Sequence, residues 1–238
     1  MRRLLIGSAY VDRDIAEAVS GADRLVAAGR DSFSMTGDAS VTRSHPETED
    51  WPERVQGLAL LGAPGNALRC RPPWPLRLTA IRGPNRALFA RVVPKRPDAS
   101  LRGLKLMGHG GETIGGLPPA IVECYFRFQR LPHYETSSLS LMETANTWRG
   151  SKRAVWIGPD DLRRVRAPTL LIWGENDPFG SVRAGLEIQR ALPDAAFGVV
   201  PRAGHLPWLD DPTGCAEKVT AFLDALPGAA RAIPPPSP

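Results

Sequence analysis

Two short stretches of the 238-residue chain each place a chemically active side chain just beyond an apolar run. In LLIWGENDPFGS, residues 170–181, the run is followed by Asp177; in VVPRAGHLPWLDDP, residues 199–212, it is followed by His205. A carboxylate that accepts the Nδ1–H of a histidine fixes the ring's tautomer, and it stabilises the imidazolium formed when Nε2 takes a proton from a nucleophile. Asp177 and His205 are therefore candidates for the orienting acid and the general base of nucleophilic catalysis. His45 and His133 have no comparable setting at the end of a strand.

The pair can meet only if two neighbouring elements deliver it to one place. In parallel α/β sheets, reactive groups gather at the carboxyl ends of the strands, where the loops converge. The 28 residues from 177 to 205 suffice for one right-handed helical crossover between adjacent parallel strands. PDDLRRVRAPT predicts a short helix, with Asp160 as its N-cap, leading into a strand over residues 169–173. SVRAGLEIQRALP follows with Val182, Leu186 and Ala191 at helical spacing, then the strand-like AAFGVV. In TGCAEKVTAFLDAL, Cys215, Val219, Phe222, Leu223 and Leu226 share one helical face. Strand, helix, strand, helix is the signature of parallel α/β structure. An earlier strand is predicted at GLALLGAP, residues 57–64. Between residues 72 and 156 prolines and glycines interrupt helical stretches such as PAIVECYFRFQR and SSLSLMETANTW, as expected of a mostly helical lid inserted between two strands.

PTLLIWGENDPF followed by GHLPWLDDP resembles the C-terminal half of an α/β-hydrolase. PERVQGLALLGAP, residues 52–64, is similar to the strand that follows the nucleophile helix in that superfamily. The resemblance is specific over residues 52–64 and 166–226, and it implies that Asp177 is the triad acid and His205 the triad base. The expected fold class is α/β: a mostly parallel sheet of α/β-hydrolase type, incomplete at the N-terminus, with an inserted, mainly helical cap. The corresponding division is 1–71 for the N-terminal part of the core and 72–156 for the cap, with 157–227 as the C-terminal part of the core and 228–238 as a disordered, proline-rich tail.

The superfamily carries its nucleophile in G-x-S-x-G, where small residues flank a serine because strand and helix backbones approach closely. No intact G-x-S-x-G occurs in this chain. The nearest match is SFSMTG, residues 32–37, with Ser34 central, Ser32 two before it, Thr36 two after it and Gly37 next. By the same resemblance the backbone N–H of Met35 is the oxyanion donor. A rival alignment takes GRDSF, residues 29–33, with Asp31 as an aspartate nucleophile of the dehalogenase or epoxide-hydrolase type, but it puts Phe33 where a small residue is needed. A third alternative is a degenerate or truncated relative without a working nucleophile, because the elbow falls near the thirtieth residue and the superfamily's usually lies near the hundredth. GHGG, residues 108–111, resembles the HGGG donor loop of lipases but follows the strand at 57–64, whereas the donor loop precedes the elbow. It is expected to be a flexible cap loop that puts His109 within reach of a ligand.

The resemblance implies hydrolysis of a small ester or related carbonyl compound, with neither a metal nor an organic cofactor. Trp74, Leu88, Phe89, Tyr125, Phe126 and Phe128 are candidates for an apolar acyl pocket or for core. The same resemblance implies a small-molecule substrate as the partner. The net charge of +5 comes from arginines scattered along the chain rather than from a basic cluster, so nucleic acid is not expected. No apolar run reaches the length of a membrane span, and Asp12 arrives too early for a secretory leader, so a cytoplasmic location is expected. Cys70, Cys124 and Cys215 are too widely spaced to suggest a disulfide framework or a zinc site. A sheet lacking its early strands would expose an edge and favour a homo-oligomer.

Overall fold

TLLIWG has no alternation of apolar and polar residues, which is the pattern of a strand covered on both faces. In the computed structural model it forms such a strand, and every residue of it is buried. The structure describes residues 3–8, 32–36, 55–131 and 133–226, with the backbone alone at 3–8, 32–36, 55–56 and Val92. Asp31, Gly37 and the tail at 228–238 lie outside the described residues.

The strands in chain order are β1 (Arg3–Ser8), β2 (Ser32–Thr36), β3 (Val55–Leu61), β4 (Asn146–Thr147), β5 (Gly150–Ser151), β6 (Thr169–Gly174) and β7 (Ala195–Val200). Five of them form one parallel sheet in the order β2-β1-β3-β6-β7, while β4 and β5 pair as a separate antiparallel hairpin. The helices before β6 are α1 (Trp74–Arg77), α2 (Pro84–Val92), α3 (Pro97–Ser100), α4 (Arg102–Leu106), α5 (Gly111–Gly116), α6 (Pro119–Phe128), α7 (Tyr134–Ala145) and α8 (Pro159–Arg164). After β6 come α9 (Val182–Ala191), α10 (Pro207–Asp210) and α11 (Pro212–Ala225). Proline stands in the first turn of α2, α3, α6, α8 and α11, where its missing N–H leaves no intrahelical bond unmade. That placement also explains a departure from the sequence expectation at α8. Pro159 opens the helix, so the cap falls on Gly158, whose N–H donates to Asp161 Oδ2 at 2.8 Å, while Asp160 pairs with Arg163 on the surface.

Side chains alternate across β6 and divide the core in two. Leu171 and Trp173 point to one side, where they join Leu58, Ile157 and Ile188. Leu170 and Ile172 point to the other, where Val219 and Leu223 of α11 cover them as the sequence pattern predicts. Trp173 is fully enclosed, and its indole N–H donates to the Gly180 carbonyl at 2.8 Å, so its one polar atom is not left unpaired. The segment between β3 and β6 is mostly helical, as predicted. Part of it belongs to the core rather than standing over it. Leu104 is buried in the second cluster, with Met107, Ile114 and Tyr125 packed around it.

Candidate functional site

Asp177 follows β6 and His205 follows β7, so one α9 crossover brings both to the carboxyl edge of the sheet. His205 Nδ1 lies 2.9 Å from Asp177 Oδ2, and both residues are buried, at 4% and 6% exposure. Removing a carboxylate from water costs several kcal/mol unless donors replace the solvent. Here three donors do so. The Ala63 N–H reaches Oδ2 at 2.8 Å, the Phe179 N–H reaches Oδ1 at 2.8 Å, and the imidazole supplies the third. The bond from Phe179 closes a turn in which Asp177 accepts from the amide two residues on, a habit of Asp in NDPFG-like sequences.

Only glycine fits where β3 turns toward this pair. Gly62 has φ near +98°, its N–H donates to Ile172 O at 2.8 Å, and a Cβ would lie 2.3 Å from the His205 carbonyl oxygen. Gly174 ends β6 for a similar reason, since a Cβ there would meet the Gly204 carbonyl oxygen at 1.9 Å. These contacts draw the ends of β3, β6 and β7 together around His205. The Phe179 ring stacks on the imidazole, with centroids 3.9 Å and planes 18° apart. Among the described residues Nε2 of His205 has no hydrogen-bond partner.

Ser34 lies inside β2, opposite Ile6 of β1, and Met35 follows it in the same extended backbone. The backbone is extended across SFSMT, without the strand-to-helix turn of an elbow; Phe33 and the β-branched Thr36 favour that conformation. β1 separates β2 from β3, so Ser34 stands two strand spacings, each about 4.8 Å, from β3. A serine that the sequence pattern did not single out stands closer in register. Ser8 ends β1 opposite Leu61, which in turn lies opposite Ile172 of β6. Its only signal in the sequence is the short apolar run LLIG before it.

His109 departs from expectation. It is buried rather than set in a flexible loop, and both ring nitrogens are engaged: Nδ1 lies 2.7 Å from Asp210 Oδ2, and Nε2 accepts the Leu206 N–H at 3.3 Å. His133 precedes α7, and His45 lies outside the described residues. Of the apolar candidates, Trp74 is 66% exposed, Phe89 and Phe128 pack on Tyr134, and Tyr125 packs on the core. A cavity of about 430 Å³ opens between α6 and α7, lined by Phe128, Leu131, Tyr134 and Leu141.

Cys70 is close enough to Asp177 to feel its charge. Burial first, then the carboxylates of Asp177 and Glu187, push its thiol up to about 12, so it is neutral at physiological pH and no rival nucleophile. Among the described residues no cluster of His, Cys, Asp and Glu could hold a metal ion, and no helix is long and apolar enough to cross a membrane.

No protein-family model matches the chain. Short stretches are similar to curated hydrolases. The 2-hydroxy-6-oxononadienedioate/2-hydroxy-6-oxononatrienedioate hydrolase 2 of Pseudomonas putida is 39% identical over 44 residues, 18% of this chain and 15% of that protein. The 2-hydroxy-6-oxo-6-phenylhexa-2,4-dienoate hydrolase of Burkholderia cepacia is 36% identical over 52 residues, 22% of this chain and 18% of that one. The chain thus matches less than a fifth of the length of these curated relatives. Likeness in three dimensions is far broader. The 2-hydroxy-6-oxo-6-phenylhexa-2,4-dienoate hydrolase of a Rhodococcus species superposes with a TM-score of 0.62 at 16% identity, over 94% of this chain and 91% of that chain. A thermophilic esterase from Thermogutta terrifontis gives a TM-score of 0.57 at 16% identity, over 94% of this chain and 89% of that one. This chain has the α/β-hydrolase fold.

Proposed function

We propose that the protein is a serine hydrolase acting on a small ester or related carbonyl substrate, with Asp177 and His205 as the acid and base of its triad. The observation that carries this is the buried 2.9 Å contact between Asp177 Oδ2 and His205 Nδ1 at the carboxyl edge of the sheet. With Asp177 ionised and accepting from Nδ1–H, His205 presents Nε2 as the basic nitrogen. The serine oxygen attacks the carbonyl carbon while Nε2 takes the hydroxyl proton. The imidazolium, held by Asp177, then returns that proton to the leaving group, and water repeats the sequence to release the acid. Ser34 is the nucleophile by its place in SFSMTG, and the Met35 N–H is its oxyanion donor.

The strand register favours a second candidate for the nucleophile. Ser8 ends the strand next to β3, whereas Ser34 is one strand further out and two register positions short of β1's end. One experiment separates the two. The full chain is labelled with a fluorophosphonate, which reacts with activated serines, and the adduct is mapped by peptide mass spectrometry. An adduct on Ser34 that disappears in His205→Ala establishes the triad as proposed, and an adduct on Ser8 moves the nucleophile to β1. Folded protein that takes no label defeats the serine-hydrolase proposal and leaves an inactive relative or the Asp31 chemistry, the latter marked by halide release that Asp31→Asn abolishes.

A further inference from the structure

Three consecutive amides, of Gly204, His205 and Leu206, all donate to one cluster. Gly204 N–H reaches Asp210 Oδ2 at 2.9 Å, His205 N–H reaches the Met107 carbonyl at 2.7 Å, and Leu206 N–H reaches His109 Nε2 at 3.3 Å. Two of these acceptors belong to the link between α4 and α5, about a hundred residues earlier in the chain. The third, Asp210, is tied to that link by His109 Nδ1 at 2.7 Å, and to α5 by the Thr113 hydroxyl, which donates to Oδ1 at 2.6 Å.

We infer that His109 is a positioning residue of the hydrolytic site, holding the loop that carries His205 through its bonds to Asp210 and Leu206. The tautomer follows from the donors. An amide N–H can point at Nε2 only if that nitrogen carries a lone pair, so the proton sits on Nδ1 and is donated to Asp210. His109 therefore works in its neutral form, with one nitrogen as donor and the other as acceptor. Its side chain is fully enclosed and Asp210's nearly so, which keeps water from taking over either bond. Burial tends to raise the Asp210 carboxyl, but the hydrogen bonds from His109, Thr113 and the Gly204 amide outweigh it and hold the group below the ordinary carboxylate range. A charged acceptor thus anchors both ends of the clamp. The imidazole of His205 has its own partners, Asp177 and Phe179. Its backbone depends on the His109 cluster, so loosening the cluster moves the base without removing any group that touches substrate.

This inference rests on the hydrolase proposal for its activity readout, and it has a second readout that does not. The full chain would be compared with His109→Leu and His109→Gln for the rate of fluorophosphonate labelling and for the downfield proton signal of the His205 Nδ1–H, assigned by its loss in Asp177→Asn. His109→Leu removes both bonds. It is expected to slow labelling by on the order of 10²-fold, the effect of about 1 Å of misplacement, and to broaden or shift the His205 signal. Glutamine keeps an acceptor for the Leu206 amide and is expected to restore much of the rate and a sharp signal. Wild-type rate with an unmoved signal in His109→Leu overturns the inference. If the wild-type chain takes no label, the hydrolase proposal fails, and the His205 signal alone decides the positioning role. If His109→Leu does not fold, Thr113→Val serves instead: a slower rate or altered signal supports the clamp, and no change in either overturns it.

Discussion

The ring of Phe179 lies flat on the imidazole of His205, 3.9 Å between centroids, while its own backbone N–H is bound to the carboxylate that holds that imidazole. Carboxylate, imidazole and aromatic plate thus form one unit, since the turn that brings the Phe179 N–H to Asp177 also sets the ring over His205. Phe179→Ala removes the plate and keeps the backbone bond. The side chain is only partly buried, so the expected loss of stability is about 1–3 kcal/mol, below the range for a core phenylalanine. Fluorophosphonate labelling should slow, and Phe179→Leu should recover the stability but not the rate. Denaturant melts beside labelling rates check this, and equal recovery of both in Phe179→Leu would show that bulk, not stacking, is what His205 needs.

Asp177→Asn tests the electrostatics of the same unit. Three N–H donors converge on the Asp177 carboxylate, and an amide has only one oxygen to offer them. Backbone N–H groups sit on both oxygens, that of Phe179 on Oδ1 and that of Ala63 on Oδ2, so the Asn NH₂ must face one of them whichever way it turns. The labelling rate is expected to fall by on the order of 10³–10⁴-fold, and stability by about 1–3 kcal/mol for the unsatisfied buried donor. Stopped-flow or gel-based labelling kinetics measure the first and urea titration the second. A variant that labels at the wild-type rate would remove Asp177 from the mechanism.

Much of this site could be read from residue types alone, because the parts that position Asp177 and His205 are local. TLLIWG is apolar throughout and ends in glycine, α9 and α11 have their apolar residues on one side, and the intervals between them fit one crossover. The clamp on the His205 loop was not legible. His109 and Asp210 are 101 residues apart, and GHGG carries no periodicity that would distinguish a buried contact from a flexible loop. The cap of α8 was misplaced by two residues because Pro159 takes the first helical position whichever acidic residue follows. Ser34 and Ser8 illustrate a different limit. A serine pattern names a chemical group, while its distance from His205 depends on strand order, which no local pattern encodes.

The low-pH behaviour of the fold should depend on Asp210. Its carboxyl is held below the ordinary value, so it binds protons more readily in the unfolded chain than in the folded one. Its contribution to stability is therefore complete above the unfolded value, about 3.9 for Asp, and is lost as pH falls through the folded value. Urea midpoints measured from pH 7 to pH 2 should show an acid branch that is shallower in Asp210→Asn than in the wild type, the two curves converging at the lowest pH. Parallel curves across the whole range would mean that Asp210 has the same affinity for protons folded and unfolded.

Thiol chemistry reports on the packing beside the site. Burial, reinforced by Asp177 and Glu187 at Cys70 and by Asp211 at Cys215, pushes both thiols up to about 12. At pH 8 only about one in 10⁴ of either would be thiolate, the reactive form. Cys124 on α6 is partly exposed. With three cysteines in the chain, a disulfide reagent such as DTNB should release roughly one equivalent quickly from the native protein and the other two only on unfolding. Cys70 packs against the turn that follows Asp177, where a Cβ on Gly180 would lie 2.6 Å from its sulfur, so its modification should be as slow as the opening of that turn. Stoichiometric reaction of Cys70 within seconds would show that the wall behind Asp177 opens freely, and the buried, water-excluded acid that the proposed chemistry requires would then be lost.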